Sequence, residues 1–218
     1  MPPLIDLPFM RKGFGQAPGG QKGGEGPQVP QEPAESEDSL RAKLYRLIID
    51  RYRETIEEHE TKTISELKLL VQPQHPEISG VKESIEGGFH PYSSHDNLLQ
   101  AATMAARHVS SFRTISAPVS FWLTFSDMKE LMAGDEIDKS ILLCSILRSL
   151  GSEDARVFVT DAKSSCVLFG FSGQFFVADH RQKGFLPAAS LKEAASLMRG
   201  KPIYSFNDKE YEDFKDEG

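Results

Sequence analysis

Two cysteines and a few carboxylates are the residues of this chain that are best suited to chemistry. Cys144 and Cys166 are the only cysteines among its 218 residues, and they provide neither a disulfide framework nor a metal-binding pair. A thiolate is a nucleophile, and a carboxylate such as Glu136 or Asp179 acts as an acid or a base. The reactions to consider are therefore acyl transfer and acid–base catalysis.

A carboxylate site formed by Glu136, Asp138 and Asp179 is one interpretation of these acids, for a metal or for proton transfer. However, acids at the start of a helix stabilise it without any ligand, and Asp138 is turned about 200° from Glu136 on a helical wheel. We therefore expect helix capping, with Lys139 or an arginine as a buried partner. We predict no metal and no cofactor.

The histidines give no stronger signal. His90, His95 and His108 lie in or near one segment, but a metal site needs more ligands at defined spacing. We expect these three side chains to have surface or capping roles.

The element that must position the acids is a helix over residues 137–150. Its apolar residues cover most of the helical circumference, which is typical of a helix buried among other elements. Gly134 and Asp135 stand at its start, and Gly151 is placed to end it. The sequence therefore predicts a central helix that begins at Glu136.

The segment AGDEIDKSILLCSILRSLGSEDARV, residues 133–157, resembles the core of transglutaminase-like proteins, which have a papain-like cysteine-hydrolase fold. In that family a cysteine begins the buried helix, because the helix N-terminus favours the thiolate. The corresponding residue here is Glu136. The resemblance extends over residues 121–185, so it implies the fold and argues against the chemistry.

The same resemblance implies where the other two triad residues would be. The family's aspartate ends the second strand of a hairpin, which corresponds to Asp179, and its histidine falls on Ser164 when Gly173 is the turn glycine. The triad positions therefore read Glu136, Ser164 and Asp179, without the cysteine and the histidine. A cysteine-hydrolase reaction requires both of these groups.

No nearby residue is a convincing replacement. Cys144 lies eight residues after Glu136, about 12 Å along the helix, and we interpret it as core packing. Cys166 is two residues after Ser164, where it would border the site, and a small buried core residue is the preferred interpretation. His180 follows Asp179 and should point to the opposite face of the strand.

Composition excludes several classes of function. The formal net charge is -7 and no basic run reverses it locally, so we predict no nucleic-acid partner. No stretch approaches the ~20 apolar residues of a membrane span, and the N-terminus lacks a signal-peptide core. With two cysteines outside any disulfide pattern, we predict a cytoplasmic protein.

Three regions follow from the composition. Residues 1–37 are rich in glycine and proline and predict a flexible tail, which carries the apolar cluster LIDLPFM, residues 4–10. Residues 38–206 predict the transglutaminase-like domain, and residues 207–218 an acidic, solvated end that is helical or frayed. The LIDLPFM cluster is either a terminus that folds back on the domain or a docking motif.

The predicted fold class is α+β, papain- or transglutaminase-like, with N-terminal helices and a buried central helix packed on a small antiparallel sheet. Pro73 and Pro76 predict the end of a helix, followed by an irregular segment with a short helical turn near residues 81–85. Ser126 predicts the cap of a short helix, and Pro202 the start of an edge strand. The other predicted helices cover 39–60, 63–72, 94–112 and 191–198, and the predicted hairpin strands 156–160, 166–171 and 174–178.

From these observations we expect a catalytically inactive transglutaminase-like domain that acts by binding another protein. One alternative is a hydrolase or acyl transferase of altered chemistry that uses Glu136, Asp179 and Cys166. The other is a scaffold whose LIDLPFM motif docks a partner. The sequence identifies neither the partner nor the oligomeric state.

Overall fold

The computed structural model describes residues 36–179 and 184–214. The chain divides between Leu44 and Tyr45, and the fold below is that of residues 45–214 within those described ranges. Most of the predicted N-terminal tail, with its LIDLPFM cluster, and His180 lie outside the described residues.

Most helices precede the strands of one antiparallel sheet, which confirms the α+β class. The helices are α1 (Glu37–Glu60), α2 (Ile64–Leu70), α3 (Pro76–Glu86), α4 (Ser94–Ser110), α5 (Phe125–Leu131), α6 (Glu136–Ser149) and α7 (Leu191–Leu197). The strands are β1 (Arg113–Thr114), β2 (Ala133–Gly134), β3 (Arg156–Thr160), β4 (Ser165–Phe171), β5 (Gln174–Ala178), β6 (Leu186–Ala188), β7 (Pro202–Phe206) and β8 (Tyr211–Asp213).

Helix α6 is the buried central helix that the sequence predicts. Its ten residues from Asp138 to Leu147 are all buried, and it packs against α3 and α4 on one side and against β3 and β4 on the other. A capping box between Asp135 and Asp138 satisfies backbone N–H groups at its start. The helix therefore begins at Glu136 for a local reason, and the hydrophobic core holds it in place.

The main sheet has six antiparallel strands in the order β6-β5-β4-β3-β7-β8. Strands β4 and β5 form the predicted hairpin, with Ser172 and Gly173 both at positive φ in the turn. One face of the sheet, including Val167 and Phe169, joins the core around α6. The other face, including Cys166 and Leu168, joins a smaller cluster that contains α7 residues. Both faces of the central strands are therefore covered.

Strand β7 is not an edge strand, in contrast to the sequence prediction. Strand β8 pairs with its outer side, and the Phe214 N–H donates to the Ile203 carbonyl at 2.7 Å. Strand β8 lies in the acidic segment that was expected to be helical or frayed. Arg156 on β3, whose side chain is 23% exposed, forms ion pairs with Glu210 and Glu212. These ion pairs hold part of the acidic segment on the sheet.

Two helix starts also differ from the predictions. Pro76 begins helix α3, where the sequence predicts an irregular segment. A proline in the first turn loses no intrahelical hydrogen bond, and the His75 side chain accepts a hydrogen bond from the backbone N–H of Glu77. Helix α5 is capped by Thr124 and not by Ser126, through a capping box with Asp127.

Helix α1 has the apolar spacing of a packed helix but no buried residue. Its exposed apolar side chains in the second part of the chain include Tyr45, Leu47, Ile48 and Tyr52. None of the helices in the described ranges is both long and apolar enough to cross a membrane.

Candidate functional site

The start of α6 meets the start of β4 through two side-chain contacts. The Ser164 hydroxyl donates to Glu136 Oε2 at 3.2 Å, and the Ser140 and Ser165 hydroxyl oxygens lie 2.9 Å apart. Ser140 follows Glu136 by four residues, so both project from one face of the helix. The structure thus brings together two of the three predicted triad positions, although they are 28 residues apart in the chain.

The third position, Asp179, directly follows β5 and is half-buried. Because Val167 is paired with Ala178, Asp179 comes next to Cys166 as the antiparallel ladder continues. The negative charge of Asp179 contributes to the raised pKa of the Cys166 thiol. The structure therefore places Asp179 beside Cys166, which belongs to the sheet face that packs with α7.

Neither cysteine has the environment of a nucleophile. Burial, with a smaller contribution from Asp179, raises the pKa of Cys166 to about 12. Burial also raises the pKa of Cys144, which is fully enclosed in the core. A catalytic cysteine needs a lowered pKa and some exposure. The prediction that Cys144 packs in the core is confirmed.

A cavity of about 790 Å³, with both polar and apolar residues in its walls, opens beside Glu136 and Ser164. Its walls come from the loop 114–120, the start of α6, and the turn between β3 and β4. Asp135, Glu136 and Asp161 contribute carboxylates to the wall, and Lys163 contributes an ammonium group. Asp179 is not one of the described residues that line this cavity.

Asp138 and Lys139 of α6 hold the start of the helix in place and are not among the described residues that line the cavity. Asp138 accepts hydrogen bonds from the backbone N–H groups of Asp135 at 3.2 Å and Leu123 at 3.3 Å. Burial, together with the charge of Asp135, raises the pKa of Asp138 to about 7. This confirms a capping role for Asp138.

Lys139 is the predicted buried lysine. Its ammonium group donates to the Phe112 carbonyl at 3.0 Å and to the Thr114 hydroxyl at 3.1 Å. Burial lowers the pKa of Lys139, and the negative charge of Glu136 opposes that shift. Lys139 therefore ties α6 to the strand β1, which leads into the cavity loop.

No group of three or more histidine, cysteine, aspartate or glutamate side chains is arranged to hold a metal within residues 36–179 and 184–214. His95 is exposed and contacts Asp96, and His108 packs edge-on against Phe112. The carboxylates near Glu136 instead form hydrogen bonds within the helix start.

Sequence reasoning missed the contact between Ser140 and Ser165. The sequence contained part of this information, because Ser140 follows Glu136 by four residues and must lie on the same face of the helix. The partner on β4 was not predictable in this way, since it depends on how the sheet packs against α6. The contact between Ser140 and Ser165 is buried, and it fixes the start of β4 next to Glu136.

Comparison with known proteins gives distant structural likenesses. No protein-family model matches the chain. No curated protein matches it. Calcium-bound LapG from Legionella pneumophila is 14% identical, with a TM-score of 0.42 over 65% of this chain and 90% of that chain. EGTA-treated LapG from the same organism is also 14% identical, with a TM-score of 0.43 over 65% of this chain and 87% of that chain.

Proposed function

We propose that this chain is a transglutaminase-like domain that has lost hydrolase chemistry and acts by binding another protein. The observation that carries the proposal is the 3.2 Å contact between Ser164 Oγ and Glu136 Oε2 at the first residue of the buried helix α6. In the family that the sequence resembles, a cysteine and a histidine meet at this place. Here a carboxylate and a hydroxyl meet instead.

The two groups do not perform the reaction of the pair that they replace. A carboxylate is a poor nucleophile toward an amide compared with a thiolate. A serine hydroxyl does not take up a proton near neutral pH, as the imidazole of a triad does. In this contact the Ser164 hydroxyl donates a hydrogen bond to the carboxylate, and neither group transfers a proton.

An enzyme of altered chemistry is less well supported. That alternative needs Cys166 or Asp179 to act near Glu136. The Cys166 thiol is buried, and its pKa of about 12 leaves almost no thiolate at neutral pH. Cys166 also belongs to the apolar cluster with Phe158 and Leu168 on the α7 face of the sheet. Its role is best explained by packing.

The binding role is supported by the cavity beside Glu136, which has both polar and apolar walls. Its volume of about 790 Å³ is within the range of ligand-binding cavities, and the loop 114–120 supplies a continuous stretch of backbone along one wall. We propose that a segment of a partner protein enters this cavity. A cytoplasmic location, supported by the two free thiols, is part of the same proposal. The scaffold role of LIDLPFM stays a prediction, because that cluster lies outside the described residues.

Loss of catalysis is tested by incubating the purified full chain with a glutamine peptide and a fluorescent amine, and separately with an isopeptide-linked substrate. We expect no product above a protein-free blank by mass spectrometry. Turnover that disappears in Glu136→Ala and persists in Glu130→Ala would refute the proposal. Glu130 is a matched control because it is an exposed glutamate on α5, outside the cavity.

The binding site is tested with a photo-crosslinking amino acid, p-benzoylphenylalanine, placed at Val119 in the cavity loop. The same residue placed at Leu191, which is 53% exposed on α7, controls for nonspecific capture. We expect a discrete protein adduct from Val119 that is absent from Leu191. Identical adducts from both positions, or none from Val119, would contradict binding at the cavity.

A further inference from the structure

A second cavity, of about 500 Å³, lies between α3, α4 and α5, with Leu142 of α6 at its inner wall. It shares no described lining residue with the cavity beside Glu136. Its walls are mainly apolar and include Ile85 and Phe125, which are buried core residues. The cavity is open to solvent on one side, and its inner wall is part of the hydrophobic core.

Gly80 is an exposed residue in the wall of this cavity. It lies near the middle of α3, where a glycine makes a helix less stable than an alanine does. A Cβ atom added at Gly80 would meet no other atom within 4 Å, because it would project into free space. The helix therefore has room for a side chain at this position and carries none.

The mouth of the cavity has adaptable side chains. Met104 and Met132 both line it, and they are 36% and 46% exposed. Methionine has three rotatable bonds and a polarizable sulfur, so it adjusts its shape to different apolar surfaces. The entrance is thus open to solvent and suited to an apolar occupant.

The charges that line the cavity cancel. Glu77 of α3 and Lys129 of α5 form an ion pair with Oε2 and Nζ 2.5 Å apart. Burial lowers the pKa of His108, so its imidazole is neutral at physiological pH and offers one donor and one acceptor. A charged ligand would find no unbalanced opposite charge there, whereas a neutral one would find a hydrogen-bonding partner.

We propose that this cavity is a binding site for a small uncharged apolar molecule with one hydrogen-bonding group, which His108 recognises. The volume is within the range of small-molecule sites, and most of the wall is apolar with few polar groups, as such sites usually are. This site goes beyond the proposed function, because it lies on a different part of the domain and involves neither Glu136 nor Ser164.

The proposal is tested by titrating the full chain, labelled with ¹³C at the methionine methyl groups, with 1-naphthol. We expect saturable shifts of the Met104 and Met132 signals and no shift of Met198, which is buried on the α7 side of the sheet. Naphthalene-2-sulfonate, of similar size but charged, should bind at least tenfold more weakly. Unmoved Met104 and Met132 signals, or stronger binding of the sulfonate, would overturn the proposal.

A pair of variants locates the site independently. Gly80→Leu should fill the cavity and weaken 1-naphthol binding at least tenfold, whereas Glu83→Leu, an exposed position on the same helix that does not line the cavity, should change it less than twofold. Circular dichroism checks that both variants are folded. Unchanged affinity in folded Gly80→Leu would place the ligand elsewhere, and the methionine shifts decide the question if that variant does not fold.

Discussion

Asp138 should make the stability of this protein depend on pH in a direction opposite to that of most carboxylates. Its pKa rises from an ordinary value of 3.8 to about 7, because it is buried at the start of α6 and faces Asp135. Between these two values the unfolded chain releases the proton while the folded chain retains it. The free energy of unfolding that Asp138 contributes is therefore complete below pH 4 and is lost as the pH rises through 7.

The magnitude follows from the size of the pKa change. At 1.36 kcal/mol per pKa unit, a rise from 3.8 to about 7 corresponds to about 4 kcal/mol. Relaxation of the protein around the charged carboxylate reduces such costs, so we expect a measured change of about 2 to 4 kcal/mol. This is a large part of the total stability of a typical domain.

Urea unfolding of the wild type and of Asp138→Asn at intervals from pH 4.5 to 8 measures this change. The variant does not titrate at this position, and any hydrogen bond it loses to Asp135 or Leu123 adds an offset that is independent of pH. We expect the stability of the wild type relative to the variant to fall by about 2 kcal/mol or more across this range.

Asp127 is the matched control, because it fills the same capping position at α5. Hydrogen bonds from Thr124 lower its pKa, so its contribution is present above the unfolded pKa and disappears only in acid. The difference between wild type and Asp127→Asn should stay level from pH 5 to 8. A level difference for Asp138→Asn over the same range would refute the assignment of a raised pKa to Asp138.

Three further predictions concern stability and reactivity. Gly80→Ala should raise the free energy of unfolding by about 1 kcal/mol in urea, because the added methyl group meets no atom and alanine favours the helix; a destabilised variant would contradict the open space at this position. Gly200→Ala should lower the free energy of unfolding by about 1 to 3 kcal/mol, because φ is +87° and the new Cβ would clash with Asp161 Oδ1 and Ala162 Cβ. Wild-type stability would argue against this geometry. Cys166 should react with iodoacetamide at pH 8 only after unfolding, since burial raises its pKa to about 12, and mass spectrometry of the native protein should find it unmodified.

Several elements were predictable from the sequence because their causes are local. The capping box of Thr63 and Glu66 begins α2, one of the predicted helices, and the turn at Ser172 and Gly173 closes the predicted β4–β5 hairpin. Each depends on residues only a few positions apart. The buried α6 was predictable for the same reason, because a helix that is apolar almost all round has to be enclosed.

Other elements were not predictable because their causes are distant in the chain. Strand β8 has an acidic sequence that is typical of a solvated end, and it joins the sheet where Arg156 pairs with Glu210 and Glu212, more than 50 residues away. The apolar spacing of α1 indicates a helix correctly, but it does not reveal that Leu47 and Tyr52 stay exposed. The spacing of apolar residues identifies one face of a helix, but tertiary packing determines whether that face is buried.

The candidate site has features that the sequence predicts and features that only the tertiary structure reveals. By itself, the sequence determined that a carboxylate, Glu136, begins the central helix, because the capping residues and the apolar pattern around it are contiguous. Only the tertiary structure decided that Ser164 would donate a hydrogen bond to it and that Asp179 would lie beside Cys166. These neighbours depend on the register of β4 and β5 and on how the sheet packs against α6, and side chains from separate elements meet only when the whole core is assembled.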